Sequence, residues 1–189
     1  MFRSRSIWLA VLLGLISLSW ACDAGQVDEA NKLVDEGNAI ITKNNEVIQK
    51  AAALNKELLG ENMTKAEDLE KYKEENKAKF DELVKMNEQT EKGFNEAGAK
   101  FEQAAKLKVD DKFKEYLNVG VQEFKKRAEI EKAGNDFVKG FLAEKNLEKI
   151  DSLVDEYNKK SLALMKEADD LKAKAEKIIK DNPAVFKKS

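Results

Sequence analysis

From Val27 onward, apolar residues return at intervals that place them on one side of a helix. Counting in sevens gives Val27, Val34, Ile41, Ile48 and Asn55, with Ala30, Gly37, Asn44, Ala51 and Leu58 as a companion row. Leu33, Ile40, Val47 and Leu54 flank them. Three rows make a stripe wider than the seam of a two-stranded coiled coil, so this helix, predicted over about 28–59, needs neighbours on more than one side. Gly60-Glu61-Asn62 breaks it. Thr64 and Glu67 then have the spacing of a capping box, opening a second helix over 64–107. That helix carries Leu69, Leu83, Ala97 and Ala104 in one row and Phe80, Phe94 and Phe101 in another, interrupted by Asn76, Asn87 and Thr90.

A third helix is predicted over 111–143, after the turn Lys108-Val109-Asp110-Asp111 with an Asp as N-cap. Its apolar residues run Phe113, Leu117, Val121, Phe124, Ala128, Ile130, Phe137, Val138, Phe141 and Leu142, and their phase drifts near the middle. Asn146 can cap a fourth helix over 147–180. Leu147, Val154, Ser161, Ala168 and Ala175 form one row of it, and Ile150, Tyr157, Leu164, Leu171 and Ile178 the other. Asp181-Asn182-Pro183 stops it. Short turns between long helices favour antiparallel neighbours. The expected fold is all-α: an antiparallel up-down-up-down four-helix bundle over 28–182, with a tail at 183–189. A three-helix coiled coil with one helix swung away or pairing between chains is the alternative. No repeat of solenoid length is found.

The start of the chain follows another pattern. Arg3 and Arg5 precede the apolar run Ile7 to Leu18, and small residues end at Ala21. This is the layout of a secretion signal, with a run too short to span a bilayer. Residues 1–21 are therefore read as a cleaved signal peptide and 22–27 as a short linker. Cys22, the chain's one cysteine, stands at the boundary. The apolar run with Leu18, Ser19, Ala21 and Cys22 resembles the signal of bacterial lipoproteins. In that family the cysteine is acylated and becomes the new N-terminus, so the resemblance implies a lipid anchor on Cys22 and a place on an envelope membrane. The family has an aliphatic residue where this chain has Ser19 and a small one where it has Trp20. Ser19-Trp20-Ala21 also fits ordinary signal cleavage, which would leave Cys22 a free thiol on a soluble exported protein.

Removing residues 1–21 takes Arg3 and Arg5 from the 34 basic residues and leaves 32 against 36 acidic ones. That balance lacks the basic excess of a nucleic-acid binder. The chain has no histidine, which excludes Ser-His-Asp and Cys-His catalysis and His-ligated haem. It has no glycine-rich loop between strand and helix to cradle a nucleotide. Most carboxylates alternate with lysine as on solvated helix faces. The expectation is a protein that is not an enzyme and holds no metal or cofactor.

One constellation stands out. With turns near 61, 109 and 145, residue 35 lies level with 87, 87 with 131, and 131 with 159. This gathers Gly37, Asn87, Thr90, Arg127, Glu131, Gly134, Tyr157 and Ser161. They form either a polar layer that fixes helix register or a mid-bundle pocket for a small ligand. In the second reading Asn87, Thr90, Arg127, Glu131, Tyr157 and Ser161 are the binding residues. Gly98 and Gly120 are expected to face each other and allow close helix approach.

The same topology puts the start of the first helix, the turn near 109 and the C-terminus at one end. Lys106, Lys108, Lys112, Lys180, Lys187 and Lys188, with Phe186 among them, gather there to face anionic headgroups or simply to complement helix dipoles. Two functions remain. One is a non-catalytic envelope lipoprotein presenting a helical bundle to a partner protein or cell-wall polymer. The other is a small-ligand carrier or sensor, which an enclosed cavity lined by Asn87, Glu131 and Tyr157 would favour over a filled core.

Overall fold

The structure is a computed structural model describing residues 24–58 and 66–186. The secretion signal, Cys22, the Thr64 side of the capping box, Lys187 and Lys188 lie outside the described residues. Within them the chain is all-helical, with α1 Ala24–Leu58, α2 Ala66–Glu75, α3 Lys77–Ala105, α4 Asp111–Ala143 and α5 Leu147–Asp181. No helix among the described residues is long and apolar enough to cross a membrane.

Two caps are as the sequence indicates. Asp110 accepts the Lys112 backbone N–H at 2.7 Å. Asn146 accepts those of Glu148 and Lys149 at 2.9 and 3.4 Å. Each satisfies a donor that the first helical turn leaves without a backbone partner.

The second predicted helix is two. At Asn76 the backbone leaves helical geometry, with φ −104° and ψ 9°. Its side-chain Nδ2 donates to the Tyr72 carbonyl at 3.0 Å, and the short polar side chain thus competes with the helix's own ladder. Among the described residues the segment predicted as one helix is thus divided into a short α2 and a long α3. Tyr72 donates its hydroxyl to the Leu58 carbonyl at the end of α1. Lys73 donates to the Glu144 carbonyl beyond α4 and stands 5.4 Å over the Phe141 ring. These contacts, with Leu69 packed among Leu58, Phe80 and Ile150, seat α2 on one end of the long helices.

The long helices lie in a row: α1 packs on α3, α3 on α4, and α4 on α5. Glu36 meets Lys100 and Glu57 meets Lys79 between α1 and α3, while Gly98 lies by Phe124 and Thr90 meets Glu131 between α3 and α4. Between α4 and α5, Lys126 meets Glu167 and Phe137 meets Tyr157.

The core divides along the length. One part gathers Val34, Phe101, Phe113 and Leu117 near the start of α1. The other gathers Leu58, Phe80, Phe137 and Phe141 near α2. Val119 turns to the other side of α4 and packs on Ala175 and Ile178 of α5. The drift of phase in α4 has this cause: the helix has a partner on each flank and buries residues toward both.

Gly98 and Gly120 do not face each other. A Cβ on Gly98 would meet Phe124 Cβ at 3.8 Å, and one on Gly120 would lie 2.7 Å from Phe101 Cδ1. Gly120 makes room for the Phe101 ring, whereas a Cβ at Gly98 would be in ordinary contact only. At the C-terminus, residues 183–186 turn back, and Phe186 packs edge-on against Phe113 and Tyr116.

Candidate functional site

Between the two halves of the core, apolar packing gives way to polar side chains. Asn44 of α1 is buried and donates Nδ2 to the Thr90 carbonyl of α3 at 2.9 Å. It can approach because position 93 is glycine: a Cβ there would lie 2.2 Å from Asn44 Oδ1. The Thr90 hydroxyl, fully buried, lies 3.0 Å from the Met86 carbonyl, the Asn87 carbonyl and Glu131 Oε2. A hydroxyl has one proton, so it serves one of these acceptors at a time. When Glu131 is protonated it can donate to Thr90, which in turn donates to a helix carbonyl.

Above this layer is a half-open cavity of about 170 Å³. α1 walls it with Ile48, Ala51, Ala52 and Asn55, and α3 contributes Leu83 and Asn87. α4 forms most of the floor, including Glu131, Gly134 and Phe137, and α5 closes the far side with Tyr157. α1 and α5 are the outer members of the row, so the row curls until both reach one groove. Gly134 is the low point: a Cβ there would come within 3.1 Å of Asn87 Nδ2 and 3.8 Å of the Tyr157 hydroxyl. The Tyr157 ring is stacked on Phe137 with centroids 4.8 Å apart. Among the described residues, neither the Asn87 amide nor the Tyr157 hydroxyl has a hydrogen-bond partner.

Among the described residues, Glu131 is the one carboxylate in the lining, and no lysine or arginine stands there. Burial pushes its carboxyl up to about 7; the Thr90 hydrogen bond lowers it in part and the charge of Glu91 raises it further. The Tyr157 hydroxyl is raised as well, first by burial and then by the Glu131 charge. Arg127, one turn away, is engaged elsewhere. Its Nε donates to Glu123 at 2.8 Å, and its guanidinium lies 3.7 Å from Asp169 of α5. Burial raises the Glu123 carboxyl despite that arginine, and with Glu123 nearby the buried Tyr116 hydroxyl is pushed up to about 12.

The residues singled out in the sequence are therefore separated. Asn87, Glu131, Gly134 and Tyr157 line the cavity, and Thr90 supports it from below. Arg127 belongs to the ion pairs with Glu123 and Asp169 and does not line it. Ser161 is buried and donates its hydroxyl to the Asn158 carbonyl of its own helix, away from the lining. Gly37 is at another level, its absent Cβ 3.0 Å from the Phe101 ring. Asn87 shares its level with Ile48 and Ala51 instead of residue 35, a displacement of three to four turns, roughly 20 Å. The wall of Ile48, Ala51, Ala52 and Asn55 was missed for that reason. The apolar rows contain Ile48, Ala51 and Asn55, but no signal in them fixes the register.

The end near the start of α1 also comes together. The Lys108 backbone N–H donates to Gln26 Oε1 at 2.7 Å. Lys106 pairs with Glu102 at 2.9 Å and Lys112 with Glu115 at 2.9 Å. Lys106, Lys108, Lys112 and Lys180 are exposed, while Phe186 is taken up by the core. The described residues contain no group of histidine, cysteine and carboxylate side chains arranged to hold a metal ion. Comparison of the chain with protein-family models, with curated proteins and with solved structures finds no match.

Proposed function

We propose that the protein is a non-catalytic lipoprotein of the bacterial cell envelope, exported by its N-terminal signal and anchored through Cys22, whose helical domain binds a small ligand. The long helices α1, α3, α4 and α5 act as an up-down-up-down bundle, left open between its outer members, with α2 as an end piece. The observation that supports ligand binding most is the cavity of about 170 Å³ lined by Asn87, Glu131 and Tyr157. An apolar cavity of about 150 Å³ suffices for a benzene-sized guest. Here three polar groups with free hydrogen-bonding capacity converge on apolar walls, the composition expected of a ligand site.

The test is thermal melting of the full-length protein with small-molecule extracts of envelope, beside an Ala52→Trp variant. Ala52 is exposed at the rim of the cavity, so the indole obstructs the groove without entering the core. A ligand selective for the folded state raises the melting temperature. The proposal expects a rise for the native protein and none for Ala52→Trp. No rise in either, across extracts, or an equal rise in both, contradicts it. Mass spectrometry of the mature N-terminus tests the anchor: a diacylated Cys22 supports it and a free thiol removes it.

A second reading, presentation of the domain to a protein or cell-wall partner, has its own observation. α5 carries Leu162, 64% exposed, beside Met165, also exposed. Neighbouring exposed apolar side chains on one helix face mark a contact surface better than isolated ones. Leu162→Glu would abolish envelope pull-down if this face carries the partner and leave it intact if it does not.

A further inference from the structure

We infer that the cavity's ligand is a small organic cation, a protonated or quaternary amine on a ring-sized apolar body, held by the Glu131 carboxylate against the Tyr157 and Phe137 rings. This rests on the reading of the cavity as a ligand site and adds the class of ligand.

The first observation is charge. Among the described residues no lysine or arginine lines the cavity, while one carboxylate does. A carboxylate taken out of water needs a cationic partner or must neutralise itself. The nearest arginine in sequence, Arg127, is committed to Glu123 and Asp169. The hydrogen bond that Glu131 has is from a neutral hydroxyl, Thr90 at 3.0 Å, so the site lacks one positive charge. Its raised carboxyl is the same deficit seen as acidity: burial disfavours the anion and nothing cationic offsets it. The second observation is aromatic. Tyr157 and Phe137 are stacked at 4.8 Å in the same lining, and ring faces attract cations electrostatically. Asn87 and Tyr157 supply oxygens for the remaining N–H groups of a primary amine. An anionic ligand would meet a like charge in Glu131. A neutral ligand would leave that charge without a partner.

The experiment uses the full-length protein and three probes of similar shape: benzylamine, benzyl alcohol and benzoate, measured by calorimetry or ligand-observed NMR at pH 8. The inference expects benzylamine to bind about tenfold tighter than benzyl alcohol, with benzoate weakest. Glu131→Gln should weaken benzylamine binding and abolish its preference over benzyl alcohol, and circular dichroism reports whether that variant is folded. Benzyl alcohol or benzoate binding as tightly as benzylamine overturns the cation and leaves the cavity standing as a ligand site. Failure of all three to bind also overturns it, while the melting test with Ala52→Trp judges the ligand site separately. If Glu131→Gln does not fold, Ala52→Trp must abolish benzylamine binding in a folded protein; persistence of binding there overturns the assignment to this cavity.

Discussion

The ring of Phe101 occupies the place of the side chain that Gly120 lacks: a Cβ there would lie 2.7 Å from Cδ1 and 2.9 Å from Cε1. The ring cannot retreat freely, because on its other side Gly37 leaves a Cβ only 3.0 Å from Cε2. It also meets Phe124 edge-on at 5.0 Å. One phenylalanine of α3 is thus inserted between glycines of α1 and α4. Gly120→Ala should therefore destabilise the protein by about 1–3 kcal/mol through overpacking, although alanine favours helix by about 1 kcal/mol. Denaturant unfolding measures it; an unchanged or raised midpoint would mean that the ring has room to move.

Gly93 admits a polar side chain in the same way. Gly93→Ala should displace Asn44, break its hydrogen bond to the Thr90 carbonyl and lower stability by about 1–2 kcal/mol. In Asn44→Ala the obstacle is absent, so the same Gly93→Ala change should then be neutral or stabilising. A double-mutant cycle checks this, and additive effects would show that the two positions do not interact.

The shifted carboxyl of Glu131 sets a pH dependence. Its value in the folded protein, about 7, lies above the ordinary 4.5. Between those values the folded state holds more protons than the unfolded one, so stability falls as pH rises. The loss begins near the unfolded value and is complete above the folded one, amounting to about 1–3 kcal/mol. Glu123, also raised by burial, acts in the same direction. Melting temperature should thus be higher at pH 5 than at pH 8, and Glu131→Gln should flatten most of the slope. A native protein that gains stability over this range contradicts the burial of Glu131.

Lys73 ties α2 to the far end of α4. Its ammonium donates to the Glu144 carbonyl and lies over the Phe141 ring. Lys73→Met keeps much of the packing and removes the donor. Hydrogen exchange should then accelerate in α2 while the centre of α3 keeps its protection, since local opening need not involve the whole fold. Uniform acceleration would show instead that α2 is part of the cooperative core.

The fold was legible where one helix has a simple job. The two inner rows of α1 bury Val27, Ala30, Val34, Ile41, Ala51 and Leu58, and Asp110 and Asn146 cap the helices they precede. The flanking row of Leu33, Ile40, Val47 and Leu54 is only half-buried, because no helix among the described residues closes over that side. The break at Asn76 was not legible, since an asparagine in an apolar row reads equally as a tolerated interruption. That break and the segment before it consume chain between α1 and α3, which displaced every level assigned across that pair. Across α3, α4 and α5 the turns are short and the register held closely enough to bring Asn87, Glu131 and Tyr157 together. Arg127 and Ser161 lie one turn along their helices from Glu131 and Tyr157 and engage other partners, an axial offset of about 6 Å that spacing alone did not resolve.

Everything proposed for the cavity depends on Glu131 standing in a poorly solvated groove walled by α1, α3, α4 and α5. Carbon-13 NMR of the full-length protein, following the Glu131 side-chain carboxyl against pH and assigned with Glu131→Gln, observes this directly. The account predicts a midpoint near 7, moving higher in Thr90→Val, where the hydrogen bond that favours the anion is gone. A midpoint at the ordinary 4.5 would contradict it, because the carboxylate would then be hydrated and the groove open to water.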